Sequence, residues 1–206
     1  MEVLPEPNQD ERGFFARTWC QKEFEAHGLN SRLVQCNLSG NTREGTLRGM
    51  HYQVEPYAEA KLVQCTRGKI YDVVLDLRPD STTYKEWIGK TLSAEEHGML
   101  YIPEGCAHGF LTLTDETEVF YQMSEFYKPE AARGVRWNDP AFQIVWPAAV
   151  QVISDRDRAY PDFGTAAEVA ADASAPDARC RYCIAERCAQ RCCPSASAAA
   201  IARTIS

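Results

Sequence analysis

Short strand-like segments, separated by turn residues, constrain the fold of this sequence more than any other feature. Apolar, aromatic and β-branched residues dominate the segments 61–66, 69–77, 87–92, 98–103, 109–114 and 118–123. Arg67-Gly68 predicts a hairpin turn between the first two, because glycine accepts positive φ angles. One short helix is predicted over Thr18–His27, ended by Gly28. Many short strands with few helices indicate an all-β sandwich or barrel.

The composition changes near Gly164, which predicts a domain over residues 1–163 and a tail over residues 164–206. The tail is rich in Ala, Ser, Arg and Cys, so it buries too little apolar surface to offset its ordering entropy, and we expect disorder. Zinc binding by the tail cysteines is the alternative, and these are Cys180, Cys183, Cys188, Cys192 and Cys193. The remaining cysteines are scattered, which is typical of reduced, buried thiols.

The charge balance argues against several classes of partner. The formal net charge is -7, whereas binding of a nucleic acid polymer needs a basic surface. No apolar run approaches the roughly 20 residues that span a bilayer. The first residues lack the basic and apolar regions of a signal peptide. We therefore expect a cytoplasmic protein with no membrane partner.

Two of the four histidines, His51 and His108, lie among glycines and aromatic residues, and are either functional or ordinary core histidines. The pattern Pro103-x-Gly105-x-x-His108 resembles the second motif of the cupin superfamily, whose fold is a double-stranded β-helix, or jelly roll. In the first motif, metal-binding cupins usually carry His-x-His, and this sequence has His51-Tyr52-Gln53. An amide is a poor ligand for zinc or iron, so the resemblance predicts no metal.

A series of ordered motifs makes the resemblance more specific. They are Asp10-Glu11-Arg12-Gly13-Phe14-Phe15, Leu47-Arg48-Gly49-Met50-His51-Tyr52-Gln53, Lys61-Leu62-Val63, Gly68-x-x-Tyr71-Asp72-Val73, Ala107-His108-Gly109-Phe110, Tyr127-x-Pro129-Glu130, Gly134-Val135-Arg136-Trp137-Asn138-Asp139-Pro140 and Ile153-Ser154-Asp155-Arg156-Asp157. Over residues 10–161 the sequence resembles the dTDP-4-dehydrorhamnose 3,5-epimerase family. That family has a cupin-type jelly-roll fold with a few short helices and uses no metal or other cofactor.

The resemblance implies proton transfer next to a ketone. The 4-keto group of a nucleotide-linked 6-deoxyhexose acidifies the hydrogens at C3 and C5, so the reaction needs a base, an acid and a stabiliser for the enolate oxygen. By resemblance, His51 is the base and Asp157 orients it. Tyr121 is the acid on the opposite face of the sugar, and Lys61 stabilises the enolate.

Further residues are implied to bind the substrate. Arg12 and Arg48 resemble the arginines that hold the diphosphate, for which a planar, permanently charged guanidinium is suited. The residues implied to contact the sugar or the nucleotide are Gln35, Asn37, His108 and Tyr127. Asp72 is implied to support His108. From residue type alone, each of these side chains has an ordinary structural alternative.

The sequence therefore predicts an isomerase that epimerises a dTDP-4-keto-6-deoxy sugar at C3 and C5, in rhamnose or related deoxysugar biosynthesis. Epimerisation at C3 only or at C5 only is the nearest alternative. A metal-dependent cupin enzyme and a non-catalytic sugar-nucleotide-binding cupin are more distant ones. By resemblance, we expect a homodimer.

Overall fold

The computed structural model describes residues 1–164 and consists mainly of β-strands. The strands are β1 (Glu2–Val3), β2 (Asn8–Asp10), β3 (Gly13–Phe15), β4 (Gln35–Asn41), β5 (Thr46–Gln53), β6 (Lys61–Arg67), β7 (Lys69–Asp76), β8 (Trp87–Ser93), β9 (Met99–Ile102), β10 (Cys106–Thr112), β11 (Thr117–Met123), β12 (Ala132–Gly134) and β13 (Val152–Ile153). The helices of this part of the chain are α1 (Gln21–Ala26) and α2 (Asp155–Arg158).

The predicted strands are present with bounds shifted by a few residues, and Gly68 has φ +77° in the turn between β6 and β7. The predicted hairpin is wrong, because β6 and β7 do not pair with each other and belong to different sheets. The predicted helix is shorter than expected. It begins at Gln21 rather than Thr18, after an N-cap residue, Cys20, whose side chain caps no backbone N–H. His27 is the C-cap and Gly28 follows it with φ +70°, the left-handed conformation that ends many helices.

Two antiparallel sheets form the two walls of the jelly roll. The first has the strand order β1-β9-β6-β11-β4, and the second has the order β12-β5-β10-β7-β8. The strands β2 and β3 form a small hairpin, which pairs with no other strand of residues 1–164. The predicted all-β jelly-roll class is therefore confirmed.

A single apolar cluster fills the space between the two sheets. It combines Val63 of β6 and Val119 of β11 from the first sheet with Ile70 and Val74 of β7 and Phe110 of β10 from the second. Because side chains alternate along a strand, these positions identify the inward face of each strand. Burial of each such side chain contributes roughly 1.5–3 kcal/mol.

The outward faces of both sheets are also covered. Val73 and Leu75 of β7 pack under a C-terminal segment that contributes Val135 and Phe142. Leu62 of β6 packs under α1 on the other side. Strands buried on both faces explain why the sequence shows continuous apolar runs rather than strict alternation.

The C-terminal end of the described chain returns to the second sheet and adds a short strand beside β5. β13 pairs in parallel with the first half of β5, so that Ile153 lies opposite Leu47. Helix α2 begins directly afterwards, and the Ser154 side chain accepts a hydrogen bond from the Asp157 N–H as its N-cap. This pairing carries Asp157 to the centre of β5.

No helix among residues 1–164 is long and apolar enough to cross a membrane. The predictions for the tail, including zinc binding by its cysteines, fall outside the described residues.

Candidate active site

The centre of the candidate site is His51, which lies within β5 and faces the interior of the barrel. His51 is paired with His108 on β10, and His108 is paired in turn with the inward residue Val74. Side chains of directly paired residues share one face of a sheet, so both histidines face inward. Both lie within strands, His51 in β5 and His108 in β10.

Asp157 holds the His51 ring from behind. His51 Nε2 lies 2.7 Å from Asp157 Oδ1, and the other carboxylate oxygen accepts the Gly49 N–H at 3.3 Å. Burial alone would raise the pKa of Asp157, but the hydrogen bond and charge of His51, together with the Gly49 N–H, lower it below its usual value. An ionised carboxylate only accepts, so Nε2 carries the ring proton and Nδ1 remains to take another.

Two glycines allow this close arrangement. Gly49 has φ +138°, and a Cβ added there would lie 2.4 Å from the Gly109 Cα. The strands β5 and β10 therefore approach each other in a way that no larger residue permits. Gly49, next to Arg48, is thus required by the backbone.

Tyr121 lies on the opposite wall, on β11 of the first sheet. It pairs with Val63, an inward residue of β6, and therefore faces the interior. Burial is the main cause of the raised pKa of Tyr121; the Arg48 guanidinium opposes the shift and the Glu59 carboxylate adds to it. The phenol thus keeps its proton at neutral pH.

Lys61 begins β6 and is a buried lysine, not a surface one. Only 7% of the residue is exposed. Its Nζ lies 2.9 Å from Glu59 Oε1 and donates to the His51 carbonyl oxygen at 3.4 Å. The ammonium is therefore held next to the histidine strand.

His108 and Asp72 form the second carboxylate–histidine pair. His108 Nε2 lies 2.7 Å from Asp72 Oδ1, with 9% and 0% of the two side chains exposed. The N–H is not aligned as a hydrogen bond, and these atoms have no other partner among residues 1–164. The contact is therefore a close approach of the ring nitrogen to the carboxylate rather than a directed hydrogen bond.

The polar candidates of β4 line the same wall as Tyr121. Asn37 pairs with Tyr121 and Gln35 pairs with Met123, so both face inward. Gln35 Oε1 accepts the N–H of Tyr127 at 3.2 Å, which fixes that tyrosine beside the wall. Arg48 donates from Nε to Asn41 Oδ1 at 2.7 Å and is otherwise exposed.

Arg12 is the predicted residue that the structure does not bring into this group. It lies in the turn of the β2–β3 hairpin, with 85% of its side chain exposed, and forms a salt bridge with Asp10. The same hairpin exposes 52% of Phe14 and 73% of Phe15.

Three further residues of the site were not identified as functional from the sequence. Glu59 pairs with Lys61, and Gln53 donates to Glu59 Oε2 at 3.1 Å. Tyr160 packs edge-on against the His51 ring with 6.2 Å between centroids. Gln53 stands two positions from His51 and so shares its face of the strand, which is a spacing that the sequence already shows. No local sequence feature marks Glu59 or Tyr160.

Among residues 1–164, no three His, Cys, Asp or Glu side chains converge as a metal site would require. The barrel instead brings together a histidine–carboxylate pair, a buried ammonium and a protonated phenol. The fold and these groups define the class, which is a cupin-type enzyme equipped for acid–base chemistry on a small substrate.

Comparison with known proteins identifies the family. The model of the dTDP-4-dehydrorhamnose 3,5-epimerase family matches residues 1–165. The dTDP-4-dehydrorhamnose 3,5-epimerase of Shigella flexneri is 48% identical over 149 residues, which are 72% of this chain and 82% of that protein. The chain belongs to the dTDP-4-dehydrorhamnose 3,5-epimerase family.

Solved structures agree with this assignment. The dTDP-4-dehydrorhamnose 3,5-epimerase of Bacillus anthracis, with TDP and PPi bound, is 43% identical with a TM-score of 0.75, and the match covers 78% of this chain and 92% of that one. A 3'-monoepimerase from Streptomyces bikiniensis, in complex with dTDP-quinovose, is 31% identical with a TM-score of 0.74, covering 82% and 85%.

Proposed function

We propose that this protein epimerises dTDP-4-dehydro-6-deoxy-D-glucose at C3 and C5, as part of the biosynthesis of rhamnose or a related deoxysugar. The observation that carries the proposal is the hydrogen-bonded His51–Asp157 pair, with 2.7 Å between Nε2 and Oδ1, on the wall opposite Tyr121. A base and an acid on facing walls suit a reaction that removes a proton from one side of a ring and returns one to the other.

The steps follow from the groups present. His51 Nδ1 takes the proton from the carbon next to the ketone, and Asp157 stabilises the imidazolium that results. The C4 oxygen becomes an enolate oxygen, which the Lys61 ammonium stabilises. Tyr121 then gives its proton to the opposite face of the same carbon. The His51 imidazolium releases its proton to solvent and the tyrosinate takes one from solvent, which restores both groups. Repetition at the second carbon inverts both centres with no net change in protons.

Substrate binding is assigned to the remaining polar groups of the barrel. Arg48 is exposed at the wall next to Asn41 and also donates from Nη2 to the Gly40 carbonyl oxygen at 3.4 Å; its remaining N–H donors can hold a diphosphate. Gln35, Asn37, His108 and Tyr127 are proposed to contact the sugar or nucleotide, and Asp72 to support His108.

We further propose a homodimer in the cytoplasm. The β2–β3 hairpin exposes Phe14 and Phe15 beside Arg12, an apolar surface that a second copy would cover. The cysteines of the described part, Cys20, Cys36, Cys65 and Cys106, are free thiols, which suits a reducing compartment. Light scattering of the full chain checks the dimer, since a monomeric mass contradicts it.

Proton NMR of the keto sugar in D₂O, with the purified protein, tests the activity. The double epimerase exchanges both the C3 and the C5 hydrogens and yields the doubly inverted sugar. The similarity to a 3'-monoepimerase makes epimerisation at C3 alone the second candidate, and that activity would remove only the C3 signal. Exchange at neither carbon refutes the proposal.

A further inference from the structure

Glu59 is a buried carboxylate beside the site, to which neither the sequence motifs nor the proposed steps assign a role. It lies in the loop between β5 and β6, and 6% of the residue is exposed. Its Oε1 lies 2.9 Å from Lys61 Nζ. A buried charge is costly unless it is paired, and in this contact the two buried side chains are each other's ion-pair partner.

The second oxygen of Glu59 is held independently of Lys61. Gln53 donates from Nε2 to Glu59 Oε2 at 3.1 Å. The same amide nitrogen lies 3.0 and 3.2 Å from the carbonyl oxygens of Tyr57 and Phe126, so its two N–H groups are shared among three acceptors. The amide oxygen accepts the Lys128 N–H at 2.6 Å. Gln53 therefore ties Glu59 to the loops on both sides of the site.

The position of the Lys61 ammonium follows from these contacts. An ammonium has three N–H donors. One is directed to Glu59 and a second to the His51 carbonyl oxygen at 3.4 Å. The Glu59 carboxylate, whose other oxygen is held by Gln53, and the His51 carbonyl oxygen thus take two of the three donors. The third donor points away from both, into the barrel.

We propose that Glu59 is a positioning residue for the reaction, which fixes the Lys61 ammonium where the enolate oxygen forms. This inference rests on the proposed function, because it takes Lys61 as the stabiliser of that oxygen. Stabilisation of this kind requires that the charged donor already stands in place before the oxygen becomes negative. Glu59 acts through Lys61 and does not contact the substrate.

A purely structural role for Glu59 makes different predictions. If the carboxylate only balanced a buried charge, its loss would lower the stability and the amount of folded enzyme but leave the kcat of the folded fraction unchanged. A positioning role lowers kcat with little change in KM, because the enolate exists only after substrate binding.

The test compares Glu59→Gln, Glu59→Asp and Glu55→Gln in the full chain. The first removes the charge at constant shape, and the second keeps the charge on a shorter side chain. The third is the matched control, since Glu55 is exposed on the same loop. We expect Glu59→Gln to lower kcat about 10- to 100-fold, as for a misplaced catalytic group, with KM within about threefold. Glu59→Asp should recover part of the loss, and the control should match wild type.

Each variant is assayed by the same NMR exchange experiment, after its folded fraction has been measured by circular dichroism. In a Lys61→Met background, Glu59→Gln should cause no further loss of kcat, because the group that it positions is absent. An additional loss in that background overturns the proposal. An unchanged kcat of folded Glu59→Gln also overturns the proposal. If that variant does not fold, an unchanged kcat of Glu59→Asp overturns it instead. A wild-type enzyme that exchanges neither hydrogen refutes the proposed function itself, and this inference with it.

Discussion

Replacement of Asp157 by asparagine tests the central pair of the proposed site. Asparagine has nearly the same shape, so it removes the negative charge without opening a cavity. The Asp157 side chain is 6% exposed, and its Oδ1 lies 2.7 Å from His51 Nε2. Without the carboxylate, the ring proton is no longer fixed on Nε2 and the imidazolium formed during catalysis loses its counter-charge.

The expected loss follows from the strength of that contact. Hydrogen bonds to charged groups contribute about 1.5–3 kcal/mol. Since 1.36 kcal/mol corresponds to a factor of ten in rate, kcat should fall about 10- to 150-fold. The loss should appear equally in kcat/KM, because the imidazolium forms only in the reaction.

Steady-state rates of product formation, followed by NMR, measure this loss. Asp155→Asn is the matched control, because Asp155 is an exposed carboxylate of the same helix, α2. It should retain wild-type rates. If Asp157→Asn retains full kcat, or if the control loses as much activity, the assignment of Asp157 is wrong.

Three further predictions concern other parts of the structure. Tyr121→Phe should still permit proton loss, seen as deuterium entry at C3 and C5, but should lower the yield of inverted sugar about 100-fold or more, because the buried phenol that returns the proton is gone; equal inversion by wild type and variant contradicts this role. Asp76→Asn should destabilise the fold by about 1–3 kcal/mol in urea unfolding at pH 7, because Asp76 accepts hydrogen bonds from Arg78, Ser81 and Thr83. Arg78 is the main cause of the lowered pKa of Asp76, so its stabilising effect is present above the unfolded value of about 4 and should shrink as the pH falls further; a difference that grows in acid would be the wrong sign. Gly134→Ala should lower both stability, by about 1–3 kcal/mol, and kcat, because its Cβ would lie 2.2 Å from the Tyr160 ring that packs on His51; an unchanged melting temperature would show that the ring moves freely.

Local sequence features predicted six of the thirteen strands in residues 1–164. The runs 61–66 and 69–77 became β6 and β7, and Gly68 forms the turn between them, because strand propensity and a positive φ are properties of a few adjacent residues. The helix was less predictable. Its start at Gln21 lacks a side-chain cap, so packing of Phe24 on the first sheet, and not a local signal, fixes its extent.

The residues of the site were likewise only partly predictable from the sequence. The motifs around His51 and Lys61 marked both as candidates from residue type, spacing and family resemblance. The choice between Phe120 and Tyr121 as the inward residue depends on strand register, because a shift of one residue would reverse the two faces. Register is set by the pairing of Tyr121 with Val63 and Asn37, which comes from distant parts of the chain.

By itself, the sequence determined part of the strand pattern and the turn at Gly68, and family resemblance supplied the candidate acid–base side chains. Only the tertiary structure decided which of these side chains meet. Asp157 reaches His51 across 106 positions because β13 pairs with β5, and Glu59 acquires its role because the barrel buries it against Lys61. Such contacts have no local signature, since they arise when two sheets close on one another and exclude water from the groups between them.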